Sequence, residues 1–327
     1  MKPKIIKYDM HANIILSRLC NFQCDYCYVP FKKIIPSKMD IKKLTEFFDK
    51  SKKTWFLQIS GGEPFLYPKF IELCEKLTKK HYISINTNLS DPTVYDFIEK
   101  INPEKVASII ASLHILEIEK KDLKKDFIDK IKRLKDKNFN IPVTMVIWPP
   151  LIKEMDTIFK EFADKEIYIL PRAFTGIFKN KRYPESYTEE ESKKLEFYNQ
   201  IYEKNKKPNS IKIIKKDTSI KTNKGKNRFY GELSFQGAPC LAGSKHIVIH
   251  ENGEVMKCFS NNSSLGNIFK GKINLFDKPQ ICDSKKCYCF HEGLLFSLKN
   301  PKILGGKSLE DIRVSIQSLS KKLNKLK

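Results

Sequence analysis

Residues 12–27 read Ala-Asn-Ile-Ile-Leu-Ser-Arg-Leu-Cys-Asn-Phe-Gln-Cys-Asp-Tyr-Cys. The apolar run 12–16 is typical of a buried strand. Cys20, Cys24 and Cys27 follow it, with three residues between the first two and two between the last two. Closely spaced cysteines in a reducing compartment are typical of metal ligands. The stretch therefore predicts a strand that ends in a metal-binding loop.

Short apolar strands alternate with amphipathic helical segments from residue 12 to about residue 205. This alternation predicts an α/β fold with a parallel sheet. Six strand-helix units would form a partial (β/α)6 TIM-like barrel, with its reactive groups at the carboxyl ends of the strands. Asp91-Pro92 predicts a helix start with proline in the first helical position, and Thr188 with Glu191 predicts a capping box. The predicted strands are 12–16, 55–60, 82–87, 106–113, 143–148 and 167–170.

A second motif, Gly61-Gly62-Glu63-Pro64, follows the second predicted strand. A four-iron cluster held by only three thiolates keeps one iron open, as catalytic metal sites generally do. The cysteine loop and this turn together resemble the radical S-adenosylmethionine (SAM) superfamily. The alternative for the three cysteines is a zinc knuckle, but no fourth Cys or His follows closely after Cys27.

The resemblance implies a 4Fe-4S cluster on Cys20, Cys24 and Cys27, with SAM bound to the open iron. It also implies cofactor contacts: Tyr26 to the adenine, Gly61, Gly62 and Glu63 to the amino group of the methionine part, Pro64 stiffening that turn, Thr87 and Asn88 ending the third strand, and Ser112 near the ribose. Two departures stand out. Leu89 replaces a glycine that follows Thr87-Asn88 in the family, and no arginine follows the fourth strand closely.

The C-terminal region contains five of the nine cysteines. Cys240, and Gly253 five positions before Cys258, resemble the start of the SPASM and Twitch auxiliary-cluster domains, and the count of cysteines resembles the single-cluster Twitch form. A second 4Fe-4S cluster would use four ligands from Cys240, Cys258, Cys282, Cys287 and Cys289, with His291 as a competitor. A structural zinc site is the alternative, because thiolates alone do not select the metal.

Composition divides the 327 residues into four predicted parts: a core barrel at 10–205, a linker at 206–230, an auxiliary cluster domain at 231–300 and an amphipathic helix at 301–327. The formal net charge is +23, yet only six of the 61 basic residues are Arg. Because Arg is the residue of bidentate phosphate and base recognition, this composition argues against a nucleic-acid partner. No secretory signal or membrane span is visible, so we expect a cytoplasmic protein.

Two further residues at strand ends are catalytic candidates. His114 follows the fourth strand, where it would face a substrate or transfer a proton, and Arg172 follows the sixth, where it would bind an anion.

We expect hydrogen-atom abstraction from a small polar or sugar-derived substrate, with oxidation through the second cluster and a flavodoxin or ferredoxin as reductant. The main alternative is a maturase of ribosomally made peptides. The remaining alternatives are a tRNA-modifying enzyme and a non-catalytic iron-sulfur or zinc module.

Overall fold

The computed structural model describes residues 4–27, 39–206, 211–213, 236–237 and 239–285. The strands are β1 (Lys4–Ile6), β2 (Met10–Ser17), β3 (Trp55–Gly61), β4 (Tyr82–Thr87), β5 (Val106–Ser112), β6 (Val143–Ile147), β7 (Ile169–Ala173), β8 (Gly176–Phe178), β9 (Lys181–Tyr183), β10 (Ile211–Ile213), β11 (Pro239–Cys240), β12 (His246–Ile249), β13 (Glu254–Cys258), β14 (Asn261–Asn267), β15 (Lys272–Ile273) and β16 (Gln280–Ile281). The helices are α1 (Ile41–Lys50), α2 (Phe70–Thr78), α3 (Thr93–Lys100), α4 (Ile115–Lys120), α5 (Lys124–Asp136), α6 (Met155–Ala163) and α7 (Glu189–Asn205).

A parallel sheet lies at the centre of the fold. Strands β2 to β7 lie side by side in chain order, each parallel to the next. Parallel neighbours need a crossover connection, and helices α1 to α6 supply these crossovers. The six predicted strands and the α/β class are confirmed. Strand β2 begins at Met10, before the apolar run, because polar residues such as His11 also join the hydrogen-bonded ladder.

The helices pack one apolar face on this sheet. In α1, Leu44 and Phe48 are buried, and the Asp40 side chain caps the helix by accepting from the Lys43 N–H at 3.0 Å. The capping box predicted from Thr188 and Glu191 is confirmed at the start of α7. Helix α3 starts one residue later than predicted, at Thr93, because Pro92 occupies the cap position.

The C-terminal region extends the same sheet beyond β2. Strand β12 lies parallel to β2, and β13, β14 and β15 continue as antiparallel neighbours, giving ten strands in all among the described residues. His246 of β12 stands opposite His11 of β2, and their Nδ1 atoms are 2.8 Å apart in a buried position. One nitrogen donates and the other accepts, so this pair links the C-terminal region to the core.

Several predicted features fall outside the described residues. These are Cys287, Cys289, His291, the helix at 301–327 and most of the 206–230 linker. Within the linker range, residues 211–213 form β10, which pairs in parallel with β1. Among the described helices, none is both long and apolar enough to cross a membrane.

Candidate active site

The loops that leave β2, β3 and β4 meet at the carboxyl ends of these strands. The first loop carries the three predicted ligands: Cys24 is buried, Cys20 is half-buried and Cys27 is exposed. The Cys27 N–H donates to the Cys24 carbonyl at 2.9 Å, which folds the end of the loop into a turn. The structure therefore brings the three cysteines together in one compact loop.

The Gly61-Gly62-Glu63 turn is packed directly against the chain that enters this loop. The Gly62 N–H donates to the Ser17 carbonyl and the Glu63 N–H donates to the Leu19 carbonyl, both at 2.8 Å. A Cβ atom added to Gly61 would lie 2.1 Å from the Ser17 oxygen, and one added to Gly62 would lie 2.1 Å from the Leu19 oxygen. Only glycine fits at either position. These glycines thus allow a close approach to the cysteine loop itself.

Glu63 points away from solvent and joins β3 to the end of β4. Its side chain is fully buried and accepts from the Phe65 N–H at 3.1 Å, the Thr87 hydroxyl at 2.7 Å and the Asn88 N–H at 2.6 Å. Burial raises the pKa of this carboxyl to about 7, although the three hydrogen bonds oppose the shift. A cationic group placed beside it would stabilise the charged form.

Asn88 and Leu89 connect the end of β4 to the cysteine loop. The Asn88 side-chain amide lies 3.2 Å from the Asn21 Oδ1 and 3.9 Å from the Cys20 sulfur, which it approaches as a donor. Leu89 has a φ of +56°, so the backbone keeps the left-handed conformation that glycine favours although the residue is leucine. Leu89 therefore has a backbone conformation that glycine would adopt without strain.

The chemistry of the three thiols suits a cationic centre. Burial raises the pKa of Cys20 to about 11 and that of Cys24 to about 12, and the charges of neighbouring groups add to both shifts. Iron would favour the thiolate forms that this loop otherwise disfavours. Among the residues described, no three Cys, His, Asp or Glu side chains converge on one metal ion.

Glu117 is a residue of this site that the sequence analysis missed. It lies in α4, is largely buried, and its carboxylate accepts from the Gln23 N–H in the cysteine loop at 3.0 Å. Its charge also contributes to the raised pKa values of Cys20 and Cys24. The only sequence signal is an acidic residue between Leu116 and Ile118 after the fourth strand, which is indistinguishable from a solvated helix position.

Tyr26 and His114 form a half-buried aromatic pair beside the cysteine loop. The Tyr26 hydroxyl lies 2.9 Å from the His114 Nδ1, and the rings stack with centroids 5.8 Å apart. Burial lowers the pKa of His114 to about 4 and raises that of Tyr26, so both side chains are neutral near pH 7. Trp148, after β6, also lies beside Tyr26, with ring centroids 5.9 Å apart. The structure thus places His114 against Tyr26, while its predicted catalytic role stays a prediction.

Two other predicted site residues lie on later strands. Ser112 ends β5, opposite Thr144 of β6. Arg172 lies in β7 opposite Val146, half-buried, and its charge acts on the Tyr202 phenol of α7. Their proposed contacts with cofactor and substrate stay predictions.

The second cysteine group is assembled from separate strands. Cys240 ends β11, Cys258 ends β13 and Cys282 follows β16, and the three cluster together with Ala242. The Gly237 N–H donates to the Cys282 carbonyl at 2.8 Å, and β11 pairs with β16. Three of the five predicted ligands therefore lie together, while Cys287 and Cys289 are outside the described residues.

The sequence profile of the Radical SAM superfamily matches residues 14–162. This range contains both the cysteine loop and the Gly61–Glu63 turn. The chain therefore contains a radical SAM domain. This match confirms the two expected cofactors, a 4Fe-4S cluster and SAM, and their chemistry fits the thiols and the glycine turn described above.

Sequence similarity to a curated protein extends beyond residues 14–162. The antilisterial bacteriocin subtilosin biosynthesis protein AlbA of Bacillus subtilis (strain 168) is 23% identical over 291 residues, which cover 83% of this chain and 60% of AlbA. The chain thus spans only part of the length of that relative.

Two solved structures with SAM bound have similar folds. The SuiB structure from Streptococcus suis has a TM-score of 0.53 and 16% identity, covering 80% of this chain and 64% of SuiB. The anSMEcpe structure has a TM-score of 0.54 and 17% identity, covering 79% of this chain and 78% of anSMEcpe. The partial-barrel fold is confirmed by these likenesses.

Proposed function

We propose that this protein is a SPASM-type radical SAM enzyme that modifies a ribosomally made peptide. The docking of the Gly61–Glu63 turn onto the Cys20 loop carries the chemical part of this proposal, because it joins two cofactor-binding motifs in one structure. The similarity to a bacteriocin biosynthesis protein over most of the chain supports a peptide substrate. A solved structure of anSMEcpe with SAM and a peptide, with a TM-score of 0.53, shares the fold.

The residues of the first loop would hold the cluster, with Cys20, Cys24 and Cys27 as its three ligands. When bound, the cluster and SAM supply the electron transfer and carbon-sulfur cleavage that lead to hydrogen-atom abstraction from the substrate. Glu63 offers a buried carboxylate to the ammonium group of the methionine part. Because its pKa is raised by burial, a bound cation would stabilise the charged form.

Tyr26 and His114 would position the adenine. A neutral His114 fixes the Tyr26 hydroxyl at 2.9 Å, and the two rings stack, so Tyr26 presents one defined ring orientation. Trp148 bounds this aromatic group on the side of β6.

The second cysteine group would hold an auxiliary cluster. Cys240, Cys258 and Cys282 supply three ligands, and Cys287, Cys289 or His291 would complete the set. Such a cluster either accepts an electron from the substrate or holds part of it. A flavodoxin or ferredoxin would deliver the electrons that the first cluster needs.

The substrate class differs from the main expectation of the sequence analysis. The peptide alternative has the support of AlbA and of the peptide-bound anSMEcpe structure, and is better supported than a small polar or sugar-derived substrate. The peptide is therefore the substrate that we propose.

Deuterium transfer tests the substrate class directly. Cells that produce the protein are grown in deuterated medium, and their extract is split by ultrafiltration into a peptide fraction and a small-molecule fraction. The anaerobically reconstituted, reduced enzyme is incubated with unlabelled SAM and each fraction. We expect deuterium in 5'-deoxyadenosine with the peptide fraction, and loss of that label after the fraction is digested with protease.

The Cys20→Ala variant is the matched control, because it removes a ligand of the first cluster and should abolish all transfer. Label that arises from the small-molecule fraction, and is insensitive to protease, would overturn the peptide proposal. Absence of 5'-deoxyadenosine from the reduced wild-type enzyme under all conditions would overturn the enzyme proposal itself.

A further inference from the structure

Leu89 occupies a backbone conformation that leucine disfavours. Its φ is +56°, and its side chain is fully buried. A left-handed residue other than glycine persists only when its surroundings hold it in place. The turn that follows β4 therefore needs a partner outside the turn.

That partner is Lys130 of α5, forty-one positions away. Its side chain is 1% exposed, and Nζ donates to the Leu89 carbonyl at 2.9 Å and to the Asp126 carboxylate at 2.6 Å. Nζ also lies 5.3 Å from the centre of the Tyr95 ring, and the Tyr95 hydroxyl donates to the same Asp126 carboxylate at 2.8 Å. A buried ammonium is costly unless it is paired, so this group is a built feature of the fold.

The Leu89 turn in turn directs Asn88 toward the cluster loop. The Asn88 N–H donates to Glu63 at 2.6 Å, while its side-chain amide faces the Cys20 sulfur at 3.9 Å and Asn21 at 3.2 Å. The Leu89 carbonyl shares its peptide group with the Ser90 N–H, which donates to the Asn88 Oδ1 at 2.9 Å. A rotation of this peptide would therefore change the direction of the Asn88 side-chain amide. Hydrogen bonds to the ligating sulfurs are among the factors that set the reduction potential of an iron-sulfur cluster.

We propose that Lys130 is a positioning residue for the first cluster. By holding the Leu89 carbonyl, it keeps the Asn88 amide directed at the Cys20 sulfur and so raises the reduction potential of the cluster there, since a donor to sulfur stabilises the more electron-rich reduced state. This inference rests on the proposed function, because it assumes a cluster on Cys20.

The test is a redox titration of the full-length, anaerobically reconstituted protein, followed by electron paramagnetic resonance. The signal of the first cluster is identified as the one that changes when SAM is added. We expect Lys130→Met to shift the potential of this signal to more negative values, with a drop of up to about tenfold in the equilibrium constant for reduction, or about 59 mV for one electron. Lys132→Met is the matched control, because Lys132 is exposed on the same helix.

Two further variants separate positioning from mere stabilisation. Asn88→Ala should give the same shift, and should give no additional shift in the Lys130→Met background. Leu89→Gly should restore the potential in that background, because glycine adopts the left-handed conformation without a brace. If Lys130→Met only lowered thermal stability, Leu89→Gly would not restore the reduction potential.

The outcomes are distinct. A wild-type protein without any SAM-responsive cluster signal would refute the proposed function. A normal signal in the wild type with an unchanged potential in Lys130→Met, or in Asn88→Ala should Lys130→Met fail to fold, would refute only this inference. A shifted potential that Leu89→Gly fails to restore would also refute it.

Discussion

Cys20, Cys24 and Cys27 lie in one short loop, whereas Cys240, Cys258 and Cys282 come from three strand ends that are far apart in the chain. The first loop is held by side chains and turns from its surroundings: Glu117 binds its backbone, and the Gly61–Glu63 turn packs against its base. The second group depends on the pairing of strands, with β11 against β16 and β12 against β2.

This difference shows two ways in which a fold can bring cysteine thiols together. In the first, the spacing along the chain already brings the ligands together, and neighbouring loops fix their orientation. In the second, the ligands meet only after the sheet has formed. We therefore expect cleavage of SAM to depend on the first group. Assembly of the second group should depend on the pairing of the strands that extend the sheet beyond β2.

Removing the first group should have the largest effect. The triple variant Cys20→Ala, Cys24→Ala, Cys27→Ala loses the three thiols that we propose as ligands of the cluster that activates SAM. We expect iron to fall by half from about eight per chain, at four irons per cluster, and cleavage of SAM to stop. Iron analysis and chromatography of 5'-deoxyadenosine measure the two effects. Cys74→Ala is the control, because Cys74 is a buried core thiol of α2; continued cleavage by the triple variant would contradict the assignment.

Removing the second group should separate iron content from cleavage. With Cys240, Cys258 and Cys282 changed to Ala, we expect iron to fall by half while the reduced protein still cleaves SAM. The modified product should be lost, since the auxiliary cluster would then be missing. A wild-type iron content of about four per chain, together with zinc, would instead assign the second group to a structural zinc site.

The first region was largely predictable because its signals are local. The apolar run before Cys20 and the spacing of the three cysteines predict the strand and its loop, and the strand before Gly61 predicts the second motif. Parallel strands with helical crossovers then leave few possible arrangements of these loops. The carboxyl ends of β2, β3 and β4 meet for that reason.

The contacts that complete both regions were not predictable, because they join residues that are remote in sequence. Glu117 and Lys130 look like ordinary charged positions of helices, and burial of each depends on the loop that packs over it. The pairing of His11 with His246 was equally hidden, since register between β2 and β12 is set by the whole sheet. The positive φ of Leu89 was hidden as well, because leucine disfavours the left-handed conformation.

A single methyl group tests how tightly the first region is packed. In Gly62→Ala the added Cβ would lie 2.1 Å from the backbone oxygen of Leu19, which cannot move without displacing the cysteine loop. We expect a loss of about 4 kcal/mol in the free energy of unfolding, measured by denaturant titration of the metal-free protein.

Gly271→Ala is the matched control in the second region. Gly271 has a φ of +69°, and nothing lies within 4 Å of an added Cβ, so only the backbone conformation is strained. Its cost should be about 1 kcal/mol. Equal costs at the two positions would show that the close approach of the glycine turn to the cysteine loop is not a strong constraint.

Glu63 should contribute a pH dependence to stability that is smaller than the cost of Gly62→Ala. Its pKa is about 7 in the folded protein, above the ordinary value of 4.5, because burial disfavours the charged form. The folded state therefore holds this proton more tightly than the unfolded state does, so the contribution is fully present below pH 4.5 and is lost as the pH rises towards 7. The loss is roughly 3 kcal/mol, and no further change should follow above pH 7.

The measurement is the difference in unfolding free energy between wild type and Glu63→Gln between pH 4.5 and pH 7, since the contributions of other carboxyl groups cancel in the difference. Glu72→Gln, which changes an exposed carboxyl of α2, should leave the window in place. Saturating SAM should narrow the pH range over which stability is lost in the reconstituted protein, because a bound ammonium would lower the pKa of Glu63. A difference between wild type and Glu63→Gln that is independent of pH would show that burial does not raise the pKa of Glu63. It would also remove the reason for Glu63 to attract a cation.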